Sequence, residues 1–424
     1  MTRLLVPEMF GVMAIAIMLI VGIGLFSDLG LRQSVVQSKR GDNPGFLNTV
    51  WVIQILRGVL IFLVSLALSL GLVVASRTDV LMHGSTYSEP ILPAVLAVTS
   101  FGAVIAGFES TKLLTANRDL VLGRITLIEL SSQTIGLAAM VMIALVNRSI
   151  WALVIGSLVA AITKTALSHV ALSGPGNRFR WDQESFNQII GFGKWIFASS
   201  VLGVLLISGD RLLLGGLVSA DVLGYYSIAF LITNAAKELF QRLITNVAFP
   251  TLSETVRQQP DSLALRYYKL RTPIDLTSLF VLGFLFVSGE RLIEILYDPR
   301  FRPAGHYLEI LAWSMFTVRF GIAGQCYLAL GKPAIVTMLI ATSLVGLYGS
   351  VPIAFYFFGL NGALWAIALS PCLSIPQMYF LNYKHGLLNV SREIALLLAL
   401  PIGIAAGYGF ESLYQIFESA ITPN

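Results

Sequence analysis

Long apolar stretches recur along the whole chain and are separated by short polar segments. A helix needs about 20 mostly apolar residues to cross a bilayer, and stretches of that length occur from residue 9 to residue 410. The pattern predicts an all-α membrane protein with about twelve transmembrane helices. These predicted spans are 9–27, 47–75, 90–110, 119–146, 150–173, 187–209, 221–248, 272–289, 305–330, 334–358, 361–383 and 393–410.

Lys and Arg are unevenly shared between alternate polar segments. The segments that follow the first, third and every later odd span hold fifteen of them, whereas the other segments and both tails hold seven. Cytoplasmic loops carry the excess of Lys and Arg, so the richer set is predicted to lie inside. This orientation puts Met1 and the last residue at the outer face.

An internal repeat joins the two halves of the chain. "VPEMFGVMAIAIML" at 6–19 resembles "SADVLGYYSIAFLI" at 219–232, and matching residues continue downstream at a nearly constant offset of 213 to 214. The pairs include Gly11 with Gly224, Leu56-Arg57 with Leu270-Arg271, Asn147 with Asn361, and Trp151-Ala152 with Trp365-Ala366. Like-oriented repeats of six spans are typical of transporters with two related bundles.

The repeat predicts four segments along the chain. Residues 1–175 form an N-terminal bundle, 176–186 a cytoplasmic linker, 187–385 a C-terminal bundle, and 386–424 an extra transmembrane helix and tail. The span at 187–209 has its first-half equivalent before Met1. The N-terminal bundle is therefore expected to lack its first helix.

The composition supports the membrane reading and excludes several functions. Of the 424 residues, 56% are hydrophobic and 12% charged, against about 25% charged in soluble domains. The net charge is +5, but no basic run with interleaved aromatics indicates nucleic acid. Cys326 and Cys372 show no ligand spacing, so neither a metal site nor a disulfide is expected.

Ionisable residues inside predicted spans are candidates for function because they are costly in lipid. Basic residues outnumber acidic ones there, which predicts a cavity that attracts anions. The candidates for binding an anionic headgroup are Lys164, Lys237 and Arg319, which lie deepest, followed by Arg124, Arg57 and Arg242 nearer the cytoplasmic face.

Each candidate also has a structural interpretation. Arg57 is equally compatible with an interfacial anchor, and Arg242 lies four residues after Glu238, where the two charges would neutralise each other. Glu129 and Gln133 share one helix face. Glu129 is a candidate for proton or sodium coupling, or for an ion pair with a nearby arginine.

The stretch "GDRLLLGGLVSADVLGYYSIAFLIT" at 209–233 resembles the multidrug/oligosaccharidyl-lipid/polysaccharide exporter superfamily, and within it the polysaccharide transporters. Further similar stretches lie at 4–37, 47–58, 300–313 and 358–370, so the resemblance covers nearly the whole chain. It implies two bundles around a central cavity and transport by alternating access.

The resemblance and the excess of cations together favour one function. The expected activity is the flipping of a lipid-linked oligosaccharide, carried on an isoprenoid phosphate, across the bacterial inner membrane for polysaccharide, O-antigen or exopolysaccharide biosynthesis. Guanidinium groups suit the phosphate because they bind its oxygens bidentately. The expected partners are membrane lipids, a polysaccharide polymerase and glycosyltransferases. No cofactor is expected, and a proton or sodium gradient is the candidate energy source.

Three alternatives remain open from the sequence. A cation-coupled multidrug exporter of the same fold would need several acids and few bases in its cavity. A membrane-embedded enzyme of polysaccharide synthesis is disfavoured because the four histidines are scattered and no polar loop is long enough for a catalytic domain. A solely structural membrane role is the third alternative.

Overall fold

Every regular element that the computed structural model describes is a helix. The structure describes residues 4–421 except 28–30, 32–33, 36–37, 39, 79–81, 83 and 120. The α-helices are α1 (Pro7–Phe26), α2 (Pro44–Ala75), α3 (Leu92–Gly107), α4 (Lys112–Arg118), α5 (Leu122–Val146), α6 (Trp151–Val170), α7 (Gln183–Leu217), α8 (Ala220–Leu243), α9 (Phe249–Gln258), α10 (Leu263–Leu296), α11 (Pro303–Ala312), α12 (Gly321–Ala329), α13 (Pro333–Leu369), α14 (Ile375–Lys384), α15 (Val390–Leu397) and α16 (Ala399–Ile421).

All twelve predicted spans coincide with helical segments, so the prediction of an all-α membrane protein is confirmed. Among the described residues, six helical stretches are long and apolar enough to cross a membrane, or seven if the bent pair α3 and α4 is one span. Other predicted spans are less apolar or interrupted. For example, α10 carries Arg271 and Asp275, and a 3₁₀ segment at Trp313–Phe320 separates α11 from α12.

One of the six stretches, Ala334–Lys384, contains 51 residues and is too long for a single crossing. A helix rises about 1.5 Å per residue, and the hydrocarbon core is about 30 Å thick. Gly359 interrupts α13 with a φ of 62° and a ψ of −152°, a backbone conformation that glycine adopts without steric cost. The stretch therefore supplies the two spans predicted at 334–358 and 361–383.

Side-chain caps fix the starts of two long helices in the first half. Asn43 accepts hydrogen bonds from the backbone of Gly45 and Phe46 at the start of α2. Asp182 does the same for Ser185 at the start of α7, and these hydrogen bonds hold the pKa of Asp182 below its ordinary value. Both helix starts are thus specified by short polar side chains.

By its internal contacts the chain divides into two compact units, Met1–Gly224 and Tyr225–Asn424. This division differs from the boundary at 176–186 that the repeat predicts, because the linker residues pack within the first unit. The backbone N–H groups of Arg178 and Asp182 donate to the Asn48 and Thr49 side chains of α2. These contacts do not test the predicted limits of the four segments, which stay a prediction.

Helices of the first unit approach one another closely at glycines. A Cβ on Gly58 of α2 would clash with the Ala103 carbonyl of α3, and one on Gly136 of α5 would lie 2.9 Å from the Gly156 carbonyl of α6. In lipid there is no hydrophobic driving force that brings helices together, so their association depends on close packing. Small residues permit this close contact.

The start of α8 crosses α1 within the first unit, and the contact is reciprocal. A Cβ on Gly11 would clash with the carbonyl oxygen of Ala220, and a Cβ on Gly224 would clash with that of Pro7. Gly11 and Gly224 are one of the pairs that define the sequence repeat, and Pro7 and Ala220 are related by the same offset.

The second unit is organised around the 34-residue helix α10. Helix α16 packs along it, with Gly283 of α10 against the Leu400 carbonyl and Gly403 of α16 against the Phe280 carbonyl. Helix α11 approaches the other end of α10 at Gly289 and Gly305. Among the charged side chains of α10, Arg271 and Asp275 are buried by these neighbours.

Candidate functional site

The structure gives Lys164 and Arg57 partners inside the first unit. Lys164 Nζ lies 3.2 Å from a carboxylate oxygen of Glu109, which joins α6 to the turn after α3. Arg57 donates from Nη2 to the Gly24 carbonyl at 2.8 Å and from Nε to Ser27 Oγ at 3.2 Å. A cation at carbonyls of a C-terminal turn stabilises the helix end, so Arg57 caps α1.

The remaining cations of the predicted set lie on α5 and α8. Arg124 is exposed on α5, as is Glu129 five residues further along. Arg242 is exposed on α8 and lies 3.7 Å from Glu238, the pairing that the sequence offered as the structural alternative. Lys237 is half-buried on α8. The structure does not test whether any of these residues binds a headgroup, and that role stays a prediction.

Arg319 belongs to a buried cluster of four charged residues in the second unit. Arg319 is 1% exposed, Arg271 and Asp275 are fully buried, and Glu393 is 6% exposed. Arg271 and Asp275 lie one turn apart on α10, Arg319 lies on the 3₁₀ segment after α11, and Glu393 lies on α15. We call these four residues the charge cluster.

Two acids pair with both arginines in the charge cluster. Asp275 Oδ2 lies 3.0 Å from Arg271 Nε and 3.3 Å from Arg319 Nε. Glu393 Oε2 accepts from Arg271 Nη2 at 2.8 Å and from Arg319 Nη2 at 2.7 Å, while Arg271 Nη1 also donates to Oε1. The formal charges cancel, so Arg319 does not present a free positive charge in this conformation.

Aromatic side chains complete the surroundings of the charge cluster. The hydroxyl groups of Tyr268 and Tyr379 donate to Glu393 at 3.0 and 3.2 Å, and the Tyr267 hydroxyl accepts from Arg271 at 2.9 Å. The Phe320 ring lies 5.4 Å from both guanidinium carbons. Charges are buried at tolerable cost only when they are paired and hydrogen-bonded in this way.

The sequence identified only part of the charge cluster. Arg319 is one of the sequence candidates and Asp275 lies within the predicted span 272–289, whereas Arg271 precedes that span and Glu393, at the edge of the span 393–410, is not a candidate. The spacing of four between Arg271 and Asp275 is a usable signal for an ion pair on one helix. Glu393 lies more than a hundred residues further along, and no local pattern links it to them.

A second polar group lies where α10 meets α11. Glu290, His306 and Glu309 place one potential ligand atom each within 4.8 Å of one another. His306 Nδ1 is 3.9 Å from Glu309 Oε2, and Glu290 and His306 are exposed. An exposed group of this kind is common without an ion, so it does not by itself define a metal site.

These features define a multi-pass helical membrane protein with a transporter-type fold. The structure is similar to an inward-facing multidrug resistance MATE family transporter of the MOP superfamily, with a TM-score of 0.67 over 90% of this chain and 91% of the other. It is also similar to the lipid II flippase MurJ in an inward closed conformation, with a TM-score of 0.64 over 98% and 93%. Both are 12% identical in sequence, so they establish the fold.

Residues 1–305 match the family model described as "Polysaccharide biosynthesis protein", and the chain belongs to that family. The lipopolysaccharide biosynthesis protein WzxC of Escherichia coli K12 is 21% identical over 73% of this chain, and an uncharacterized membrane protein in the cps region of Klebsiella pneumoniae is 22% identical over 71%. The chain spans 61% and 60% of these relatives' lengths. The predicted resemblance to polysaccharide transporters is confirmed.

Proposed function

We propose that the protein flips a lipid-linked oligosaccharide, carried on an isoprenoid phosphate or pyrophosphate, across the bacterial inner membrane for polysaccharide biosynthesis. The observation that carries this proposal is membership of the polysaccharide biosynthesis family over residues 1–305, on a fold similar to that of a lipid II flippase. We propose further that a proton or sodium gradient drives the cycle, and that a polymerase and glycosyltransferases work next to it.

The described charges favour an anionic substrate over a cationic drug. A cation exporter needs acidic side chains that are available to its substrate. Two acids in the second unit, Asp275 and Glu393, are instead engaged by two arginines. The multidrug exporter remains the alternative within the same fold.

We assign the capture of the headgroup to cations of the predicted set, with Lys237 as the first to test. Lys237 is half-buried on α8, six residues before the helix ends at Leu243, and lies within the predicted span 221–248. A hydrogen bond to a charged group contributes about 1.5–3 kcal/mol, so its loss should lower transport by about 10- to 150-fold. Arg124 and Arg242, both exposed, would act earlier in capture.

The test uses the organism that encodes the chain, with its own copy of the gene deleted. Wild-type protein and Lys384→Ala, which removes an exposed lysine at the end of α14, should both restore surface polysaccharide. Lys237→Ala should reach the membrane at the same level and leave the lipid-linked precursor inside. Full restoration by Lys237→Ala would remove Lys237 from the site, and unchanged polysaccharide in the deletion strain would contradict the proposed function.

A further inference from the structure

The Glu393 carboxylate is surrounded by more donors than a carboxylate ordinarily accepts. Arg271 donates to both of its oxygens, and Arg319, Tyr268 and Tyr379 each donate once. These five bonds exceed the roughly four lone-pair positions of an ionised carboxyl group. The surrounding side chains thus form an anion site that is larger than the group occupying it.

Donor groups in this site are also left over. Arg319 Nη1 is buried and has no hydrogen-bond partner among the described residues. The Nε atoms of Arg271 and Arg319 meet Asp275 as ion pairs without hydrogen-bond geometry. Buried guanidinium N–H groups without partners are costly. A phosphate group has additional oxygens, arranged tetrahedrally, that two guanidinium forks can bind together.

The segment that carries Glu393 is a short helix that lies between a glycine and a turn. Helix α15 has eight residues and is set off by Gly386, with a φ of 66°, and by a turn at Leu398. Val390 and Ile394 on this helix are 60% and 63% exposed. The next helix, α16, is fixed independently because its Gly403 lies against α10. A displacement of Glu393 would thus pivot between Gly386 and the turn at Leu398.

We propose that Arg271, Arg319, Tyr268 and Tyr379 form a binding site for a phosphate or pyrophosphate ester, and that Glu393 occupies this site as an internal anion until the ester displaces it. The inference deepens the proposed function and rests on it, since the ester would be the phosphate of the lipid-linked substrate. An exchange of one anion for another keeps both arginines paired, so neither state leaves a buried cation uncompensated.

The first experiment measures binding of farnesyl pyrophosphate to the full-length protein in nanodiscs. Glu393→Gln removes the competing charge, and Glu254→Gln is the matched control because Glu254 is exposed on α9. If Glu393 leaves the site open for a tenth of the time or less, Glu393→Gln should lower the Kd about tenfold or more, and the control should not change it. An unchanged or higher Kd for a folded Glu393→Gln protein would overturn the proposal.

The second experiment uses the wild-type protein, so it does not depend on a variant that folds. Saturating farnesyl pyrophosphate should increase hydrogen–deuterium exchange of the backbone at 389–398 and leave α16 protected. Unchanged exchange with the ligand bound would refute the displacement of Glu393. Inorganic pyrophosphate separates the sources: if it produces the same increase, the site recognises free pyrophosphate, and if only the farnesyl ester does, it recognises the lipid-linked group.

Failure of this inference is distinguishable from failure of the proposed function. If the protein transports a lipid-linked sugar but hydrogen exchange at 389–398 does not change with pyrophosphate, the proposed function stands and the role of Glu393 as an internal anion is refuted. If Glu393→Gln binds farnesyl pyrophosphate more tightly but the wild-type protein moves no lipid-linked sugar, the phosphate site stands and the proposed function is refuted.

Discussion

The charge cluster makes a direct prediction about stability. Arg271→Met removes a fully buried guanidinium group that pairs with Asp275 at 3.0 Å and donates to both oxygens of Glu393. The substitution leaves two carboxylates for the single guanidinium of Arg319. Breaking a buried ion pair by removing one partner costs about 3–5 kcal/mol, because the other charge stays buried without compensation. We expect a loss of that size for Arg271→Met.

The matching change on the acid side should recover part of the loss. Arg271→Met combined with Asp275→Leu leaves one arginine, Arg319, with one acid, Glu393, which still pair at 2.7 Å. Replacement of a buried ion pair by apolar groups is often neutral, so the double variant should lose at most half of the stability that the single variant loses. A double-mutant cycle isolates this coupling because the two residues contact each other.

The assay is unfolding of the purified protein in detergent, followed by helical circular dichroism. Arg300→Met is the control, since Arg300 is 42% exposed at its side chain and pairs with Asp298 on the surface. Exposed ion pairs contribute about 0–1 kcal/mol. If Arg271→Met is no more destabilising than Arg300→Met, the charges of the cluster are not held in protein-enclosed surroundings and the reasoning is wrong.

Three further outcomes are expected. Gly403→Val should destabilise the protein by about 1–3 kcal/mol through overpacking against α10, whereas Gly409→Val, with open space around it, should not; thermal unfolding compares them. Arg57→Gln should increase hydrogen exchange at the end of α1, because the Gly24 carbonyl loses its charged donor. Acidification should destabilise the start of α7, because the folded state lowers the pKa of Asp182. The stabilisation by Asp182 is present above its unfolded pKa, about 4, and is lost as the pH falls through the folded pKa. Hydrogen exchange at the start of α7 should therefore increase at low pH in the wild-type protein, and Asp182→Asn should abolish this pH dependence.

The helices were predictable because their signals are local. Runs of apolar residues predicted twelve spans, all of which coincide with helical segments, and the gap between the predicted spans 334–358 and 361–383 contains the break that the structure shows at Gly359. The repeat pair Gly11 and Gly224 makes a reciprocal close contact within the first unit, with Ala220 and Pro7. Periodicity, apolar run length and repetition are properties of neighbouring residues, so one sequence suffices to find them.

The environment of each ionisable residue was not predictable in the same way. The sequence placed Arg319 in a span but gave no sign that Glu393, on another helix, would reach it at 2.7 Å. Nor did it show that Lys164 would meet Glu109, or that Arg57 would reach back to the end of α1. These contacts depend on how helices pack, and a single sequence does not encode partners at long range in any local pattern.

The most direct test of the account is transport by the purified protein alone. The protein is reconstituted into liposomes that hold a fluorescent N-acetylglucosamine linked through pyrophosphate to a polyprenol, and a membrane-impermeant reductant is added outside. We predict that the wild-type protein exposes the fluorophores of the inner leaflet to the reductant, so that their fluorescence is lost. With Lys237→Ala this loss should be far slower. Equal protection of the inner leaflet with wild-type protein and with protein-free liposomes, under an imposed proton or sodium gradient, would contradict the claim that this chain moves lipid-linked sugars.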